Sequence, residues 1–346
     1  MNRSAVTLLL TAALALAVAT GCGSSDDDAS SGSGAAATKT ANNAGTFPVT
    51  VQHRYGATTI RSQPKRIAIV GFTEQDIVLA LGQKPIVTTD WYGNQPYATW
   101  PWAREALGDA RPTVLKAADG IDFEGVAKAH PDLIVGTNVG IKQKDYDKLS
   151  QIAPTVPGCK GRPVYFCPWD QQTELVAAAL GQKARGIQMV KDIKSRFAKA
   201  AAEHPEFQGR SVTFSQNAFY DGRLYAYPPG LGTEFLSMLG FTINPKLQGL
   251  AKPGIQAAIS AERLDVIDTD VQVFATEKPG DVGNLLKIPT FRGLNAVKGH
   301  HTIFTDATLS GAMYFTTPLS LPYVLDHLTP QLAAAVAGRA PRRMVS

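Results

Sequence analysis

Short apolar runs alternate with helical patterns along most of the chain. Arg66 to Gly71 (RIAIVG) is rich in β-branched residues and predicts a buried strand. Thr73-Glu74-Gln75-Asp76 then predicts the capped start of a helix that runs through Leu81 and stops at Gly82. Pro85 to Thr89 predicts the next strand, and the helical pattern of Phe123 to Ala129 leads into another buried strand at Pro131 to Val135. Strands separated by helices favour parallel pairing, hence an α/β layered unit. From about Gln171 to Glu203 the pattern is helical, with hardly any turn residue except Gly181 and Gly186. Alternation then resumes. A strand over Ser211 to Tyr220, a turn at Asp221-Gly222, a helix over Gly232 to Leu239 and strands at Val271 to Ala275 and His301 to Phe304 are predicted. This order describes an α/β protein of two lobes, residues 47–168 and 205–346, joined by one long helix within 169–204. A weak internal echo supports comparable lobes: Glu124 precedes Asp132-Leu133-Ile134-Val135 by eight residues, as Glu262 precedes Asp270-Val271-Gln272-Val273.

The N-terminal residues follow another pattern. A run of about 16 apolar residues, Ala5 to Thr20, follows Arg3 and falls short of the roughly 20 needed to cross a bilayer, so residues 1–21 read as a secretory signal. Its end, Ala19-Thr20-Gly21-Cys22, resembles a bacterial lipoprotein signal, although Leu is more usual at position 19. The resemblance implies that Cys22 is acylated and anchors the protein at the outer face of the cell membrane. The plainer reading is a cleavable signal with an incidental cysteine. Residues 22–46 are Gly, Ser, Ala, Asp and Asn with almost no large apolar side chain, and read as a flexible tether.

Composition narrows the class. With 44 % hydrophobic and 18 % charged residues, 346 residues are ample for a globular body of about two folded units. The net charge of +5 is no signature of nucleic-acid binding, because Arg339, Arg342 and Arg343 near the C-terminus supply much of it and no concentrated basic stripe exists. Beyond Cys22, only Cys159 and Cys167 remain, eight positions apart in GCKGRPVYFC. In an exported chain they read as a disulfide closing that loop, with two unpaired buried thiols as the alternative.

Several short stretches in order carry a family resemblance: Gly56-Ala57-Thr58-Thr59-Ile60, Pro64-Lys65-Arg66, Ala80-Leu81-Gly82, Ala129-His130-Pro131-Asp132-Leu133-Ile134-Val135 and Ile152-Ala153-Pro154-Thr155-Val156. Together they resemble the substrate-binding lipoproteins of ABC importers for ferric siderophores, haem and cobalamin, over essentially Phe47 to Leu332. Phe72 to Asp76, Thr89-Asp90-Trp91 and Trp100-Pro101-Trp102 point to the actinobacterial iron-dicitrate type. The resemblance implies two lobes bridged by a rigid helix, a ligand groove between them with little hinge closure, and delivery to the transmembrane subunits of an ABC permease. It implies a monomer that needs no cofactor, with a ferric siderophore as first ligand, haem as second and cobalamin a distant third.

Candidate ligand contacts follow from residue type. Trp91, Tyr92, Tyr97, Trp100 and Trp102 crowd the Gly-, Pro- and Asn-rich segment DWYGNQPYATWPW, which reads as a loop. Large rings on a loop make a stacking surface for a bulky planar ligand, or else a packing patch between lobes. After the Asp-Gly turn, Arg223, Tyr225 and Tyr227 alternate in RLYAY, so strand periodicity places them on one face. A guanidinium flanked by phenols can clamp an anionic group; the alternative is an edge hairpin with a solvated Arg. Trp169 is expected at the rim. A ferric siderophore brings its own oxygen ligands, so no direct protein ligand to iron is expected; for haem, Tyr225 or Tyr227 would be the axial candidates.

An anchored enzyme is the competing class. The chain has no Gly-x-Ser-x-Gly elbow, no His-Glu-x-x-His helix, no phosphate loop and no dinucleotide fingerprint, so no enzymatic activity is expected. In the resembling family one exposed Glu on each lobe docks onto permease arginines, and the motif matches place those carboxylates at Glu124 and Glu262. A Glu in the first turn of a helix is also favoured by the helix dipole alone.

Overall fold

The computed structural model describes residues 45–346 apart from 119, 166, 221 and 253–255; the expected signal, the acylated Cys22 and nearly all of the tether lie outside them. The chain enters through an antiparallel hairpin, β1 (Val49–His53) and β2 (Gly56–Ile60). It then alternates: β3 (Ile67–Ile69), α1 (Glu74–Ala80), β4 (Pro85–Asp90), α2 (Pro101–Leu107), β5 (Thr113–Lys116), α3 (Phe123–Lys128), β6 (Leu133–Gly136), α4 (Gln143–Ile152) and β7 (Thr155–Pro157). The strands after the hairpin form one parallel sheet in the order β5-β4-β3-β6-β7. Central β3 and β6 are buried along their whole length, as continuous apolar runs in a two-sided parallel sheet require. The strand order reverses between β3 and β6, and the carboxyl ends there are the usual ligand position in open α/β sheets.

One long helix bridges the lobes, but the helical stretch read from the sequence is not continuous. It is two helices, α5 (Trp169–Ala179) and α6 (Lys183–Glu203), broken where Gly181 takes φ +70°. Gly186 then allows α6 to pack closely on α5, since a Cβ there would meet that of Ala177. Val176 and Ala177 of α5, with Leu180 just after it, belong to the first-lobe core, whereas Val190, Ile193 and Phe197 of α6 belong to the second. The long helix α6 is therefore the bridge, and α5 is a wall of the first lobe.

The second lobe begins with β8 (Ser211–Tyr220) and β9 (Arg223–Ala226), then α7 (Glu234–Met238), β10 (Thr242–Ile243), β11 (Ala257–Ser260) and β12 (Val271–Ala275). Helices α8 (Pro279–Lys287), α9 (Pro289–Gly293) and α10 (Asn295–Lys298) precede β13 (Thr302–Thr305). After α11 (Ala307–Phe315) and α12 (Ser320–Val336), β14 (Met344–Val345) closes the sheet edge. Its sheet runs β11-β9-β8-β12-β13-β14, with β10 also on β8; β9 is antiparallel to both neighbours and the rest pair parallel.

The internal echo has a physical basis. Asp132, just before β6, accepts the backbone N–H groups of Lys65 and Arg66 at 2.8 Å, and Asp270, just before β12, accepts that of Ser211 at 2.8 Å. In both lobes an aspartate ahead of one central strand fixes the start of its parallel partner. The C-terminal chain also returns to the first lobe, where Leu319 packs on Leu79, Ala103 and Leu107.

Candidate functional site

Three consecutive side chains of α1 organise the face where the lobes meet, and all three are buried. Glu74 accepts from Thr137 Oγ1 at 3.1 Å and from the backbone N–H of Asn138 and Thr73. Gln75 Nε2 donates to the carbonyl of Ala98 at 3.1 Å. Asp76 Oδ2 accepts from Trp102 Nε1 at 2.7 Å and from Thr317 Oγ1 at 2.6 Å. The helix start thus holds the loop after β6, the aromatic segment and the C-terminal chain in one register. Thr73 is the N-cap residue but its side chain makes no capping bond; it accepts from Asn138 Nδ2 instead.

The aromatic segment is only partly a loop. Pro101 at the first helical position starts α2, so Trp100 precedes that helix and Trp102 lies in its first turn. Trp100 is 2 % exposed and stacks on Trp102 at 5.1 Å and on Tyr92 at 5.4 Å, which makes it core rather than groove surface. Trp91, 38 % exposed, stacks on Phe72 at 5.3 Å and on Phe315 at 5.8 Å and donates Nε1–H to the carbonyl of Phe72. Trp169 is 4 % exposed, packs in the second-lobe core and lies under the Lys194 ammonium at 5.8 Å, so it forms no rim.

Rings from both lobes close on one small cavity of about 220 Å³, with Trp91 and Tyr92 on one side and Phe214, Tyr227 and Tyr314 on the other. Tyr227 stacks on Phe214 at 4.7 Å, and Tyr314 meets Tyr92 edge-on at 5.5 Å. Two wider cavities adjoin it. One, of about 670 Å³, lies outside Trp91 and is bordered by Phe72, Asp90 and Lys116. The other, of about 720 Å³, runs from Arg162 and Tyr165 of the first lobe to Tyr227 and Glu234 of the second. Tyr165 and Arg162 sit on the loop closed by the Cys159–Cys167 disulfide, whose Cα atoms are 5.4 Å apart.

Of the hairpin residues, Tyr227 faces this groove, while Arg223 at the far end of β9 is exposed and Tyr225 half-buried. Strand alternation holds, with Leu224 and Ala226 buried on the opposite face. Burial raises the Tyr92 phenol far above its usual range, and Glu277, which accepts its hydrogen bond, raises it further. Burial pushes the Tyr227 phenol up to about 12. Burial likewise raises the Glu277 and Glu234 carboxyls. Among the described residues no group of three or more His, Cys, Asp or Glu side chains is placed to hold a metal ion.

Glu124 lies in the first turn of α3, which Asp122 caps through the Gly125 N–H at 2.8 Å, and pairs with Lys128 at 2.6 Å. Glu262 opens a 3₁₀ segment, Ala261–Ile267, in place of an α-helix, and the Ser260 side chain caps no N–H there. Hydrogen bonds from its own N–H and from the Ser260 hydroxyl lower its carboxyl. Phe72, Tyr165, Tyr314, Phe315 and Glu277 were not legible as site residues, because each joins the groove through contacts distant in sequence.

Comparison with known proteins gives a consistent picture. The sequence profile of the family described as periplasmic binding protein matches residues 67–309. Among curated proteins, a probable siderophore-binding lipoprotein of Bacillus subtilis is 26 % identical, covering 66 % of this chain and 69 % of its own length. The Fe(3+) dicitrate-binding periplasmic protein of Escherichia coli is 25 % identical, covering 60 % of this chain and 67 % of its own. Among solved structures, a periplasmic solute binding protein from Mycobacterium smegmatis is 39 % identical with a TM-score of 0.78, covering 83 % of this chain and 98 % of that one.

Proposed function

Because the chain belongs to the periplasmic binding protein family, we propose that it captures a ferric siderophore in the groove between its lobes and delivers it to an ABC permease for iron uptake. The observation that carries this reading is the cavity walled by Trp91 and Tyr92 from one lobe and Tyr227 and Tyr314 from the other. Such rings stack on the bulky, partly planar shell of an iron chelate and need not touch the metal, whose coordination the chelator already fills. The two curated relatives are named for a siderophore and for ferric dicitrate. The haem alternative has no support from these relatives, neither of which is named for haem.

Capture takes place outside the cytoplasm, with Cys22 as the lipid anchor and residues 22–46 as the leash. Glu124 and Glu262, exposed on the two lobes, dock onto permease arginines; this role rests on the family resemblance and on their exposure. The test is a titration of the purified protein with ferric citrate, ferric hydroxamates and haem, followed by intrinsic Trp fluorescence. Saturation by a ferric chelate at low-micromolar concentration or below is expected. Saturation by haem alone, or by none of them, overturns the reading.

A further inference from the structure

A further cavity of about 440 Å³ opens in the first lobe, beyond the carboxyl ends of β3, β4, β5 and β6. It therefore lies where the strand order reverses, the position at which open α/β sheets accept ligands. Its floor is apolar, built from Val70, Leu115, Ile121, Val126 and Val139. It is continuous with the groove: Phe72 also borders the 670 Å³ cavity and Tyr165 the 720 Å³ one. Gly140 allows this, since a Cβ there would collide with the Tyr165 hydroxyl.

Charges of both signs meet at its rim. Lys142 and Lys144 border the cavity, and among the described residues neither makes an ion pair. Lys116 is held by Asp90 at 2.5 Å. Two carboxylates also border it and keep their charge while accepting backbone N–H groups, Asp122 from Gly125 at 2.8 Å and Asp145 from Lys142 at 3.1 Å. An apolar floor with two ammonium groups free of ion pairs at its mouth suits a group that is apolar along its length and anionic at its end.

We propose that this cavity is a second subsite, which takes an apolar arm of the iron chelate ending in a carboxylate; the inference rests on the ferric-siderophore reading above. The aromatic groove holds the iron-bearing part and the first-lobe cavity selects among chelates by what they carry beside it. The test compares two ferric chelates with one core, ferrioxamine B acylated on its amine with acetyl or with succinyl. In the wild-type protein the succinyl chelate binds roughly tenfold tighter, from about one further methylene leaving water and one ion pair at the exposed rim. Ile121→Trp, which fills the cavity, and Lys142→Glu with Lys144→Glu, which reverses the exposed rim, each bring the ratio near one and spare the acetyl chelate. Equal wild-type affinities, or a ratio that survives both variants, overturns the proposal. Should neither chelate bind, octanoate and octylammonium decide it through methyl NMR shifts at Leu115, Ile121 and Val126. Shifts with octanoate alone support the subsite; shifts with neither, or with both, overturn it. The ferric-siderophore reading stands or falls separately, on the titration already described.

Discussion

The hydroxyl of Thr317 donates to Asp76 Oδ2 at 2.6 Å, joining residues 241 positions apart and tying the second lobe's C-terminal chain to the first helix of the first lobe. A second polar tie, from the Tyr92 phenol to Glu277, crosses the same face. These bonds give the lobes a defined mutual setting before any ligand arrives.

Asp76 makes that setting sensitive to pH. Burial pushes its carboxyl up to about 6 from an ordinary 3.8, although the hydrogen bonds from Thr317 and Trp102 pull it down. Folding favours the protonated form, so this contribution is full below the ordinary value and is lost as pH rises through about 6. The loss amounts to about 3 kcal/mol by pH 7.5. Asp76→Asn should therefore melt higher than wild type at pH 7.5, with the gap closing toward pH 4.5. Parallel melting curves across that range would show that Asp76 does not titrate there.

The tryptophans should separate by assay. Trp91→Ala removes an exposed stacking ring, costing about 1 kcal/mol or more of ligand affinity with little change in Tm. Trp100→Ala empties a buried site and should lower stability by about 3–5 kcal/mol. Ligand titration and calorimetry on both variants check the division. Loss of affinity only in the Trp100 variant would reverse it.

Replacing both Cys159 and Cys167 with Ser frees the loop that carries Arg162 and Tyr165. Chain entropy alone predicts a stability loss of about 2.5 kcal/mol for a loop of this length. Affinity should fall as well, because Tyr165 then spends less time against Phe72, which it stacks on at 6.3 Å. Denaturant melts and titration of the double variant, beside the reduced wild type, measure both effects.

Docking predicts a different profile. In the Glu124→Arg, Glu262→Arg double variant, ligand affinity stays at the wild-type value while uptake falls, and added salt weakens the wild-type coupling. Permease ATPase stimulation in proteoliposomes reads this directly. Full stimulation by the variant would leave both carboxylates as helix-start residues only.

How much was legible in the sequence follows from the range of each interaction. Strands β3, β4, β6, β8, β12 and β13 carry their own apolar, β-branched signal, and the aspartates before β6 and β12 were visible as an echo because their bonds repeat a local arrangement. The break at Gly181 is marked by its glycine, yet the helical pattern continues on both sides of it, and only the left-handed backbone there parts the two helices. Helix α2 hid inside a turn-rich segment whose Pro101 is in fact a helix-start residue. Glu74, Gln75 and Asp76 read only as the start of a capped helix, since nothing local reveals partners 63, 23 and 241 residues away. The exposed position of Arg223 and the burial of Trp100 and Trp169 were equally beyond local pattern, because residue type does not say which side of a wall a ring will occupy.

The chain enters the folded body beside the Gly181 break, where Phe47 packs on that glycine and Val49 and Val51 lie near Ala178. A pull on the N-terminus is therefore borne first by the β1–β2 hairpin and the foot of the connecting helices. None of these contacts borders the aromatic cavity, so the load path bypasses the ligand. A load applied at this entry point is discharged into the first-lobe core, away from the groove.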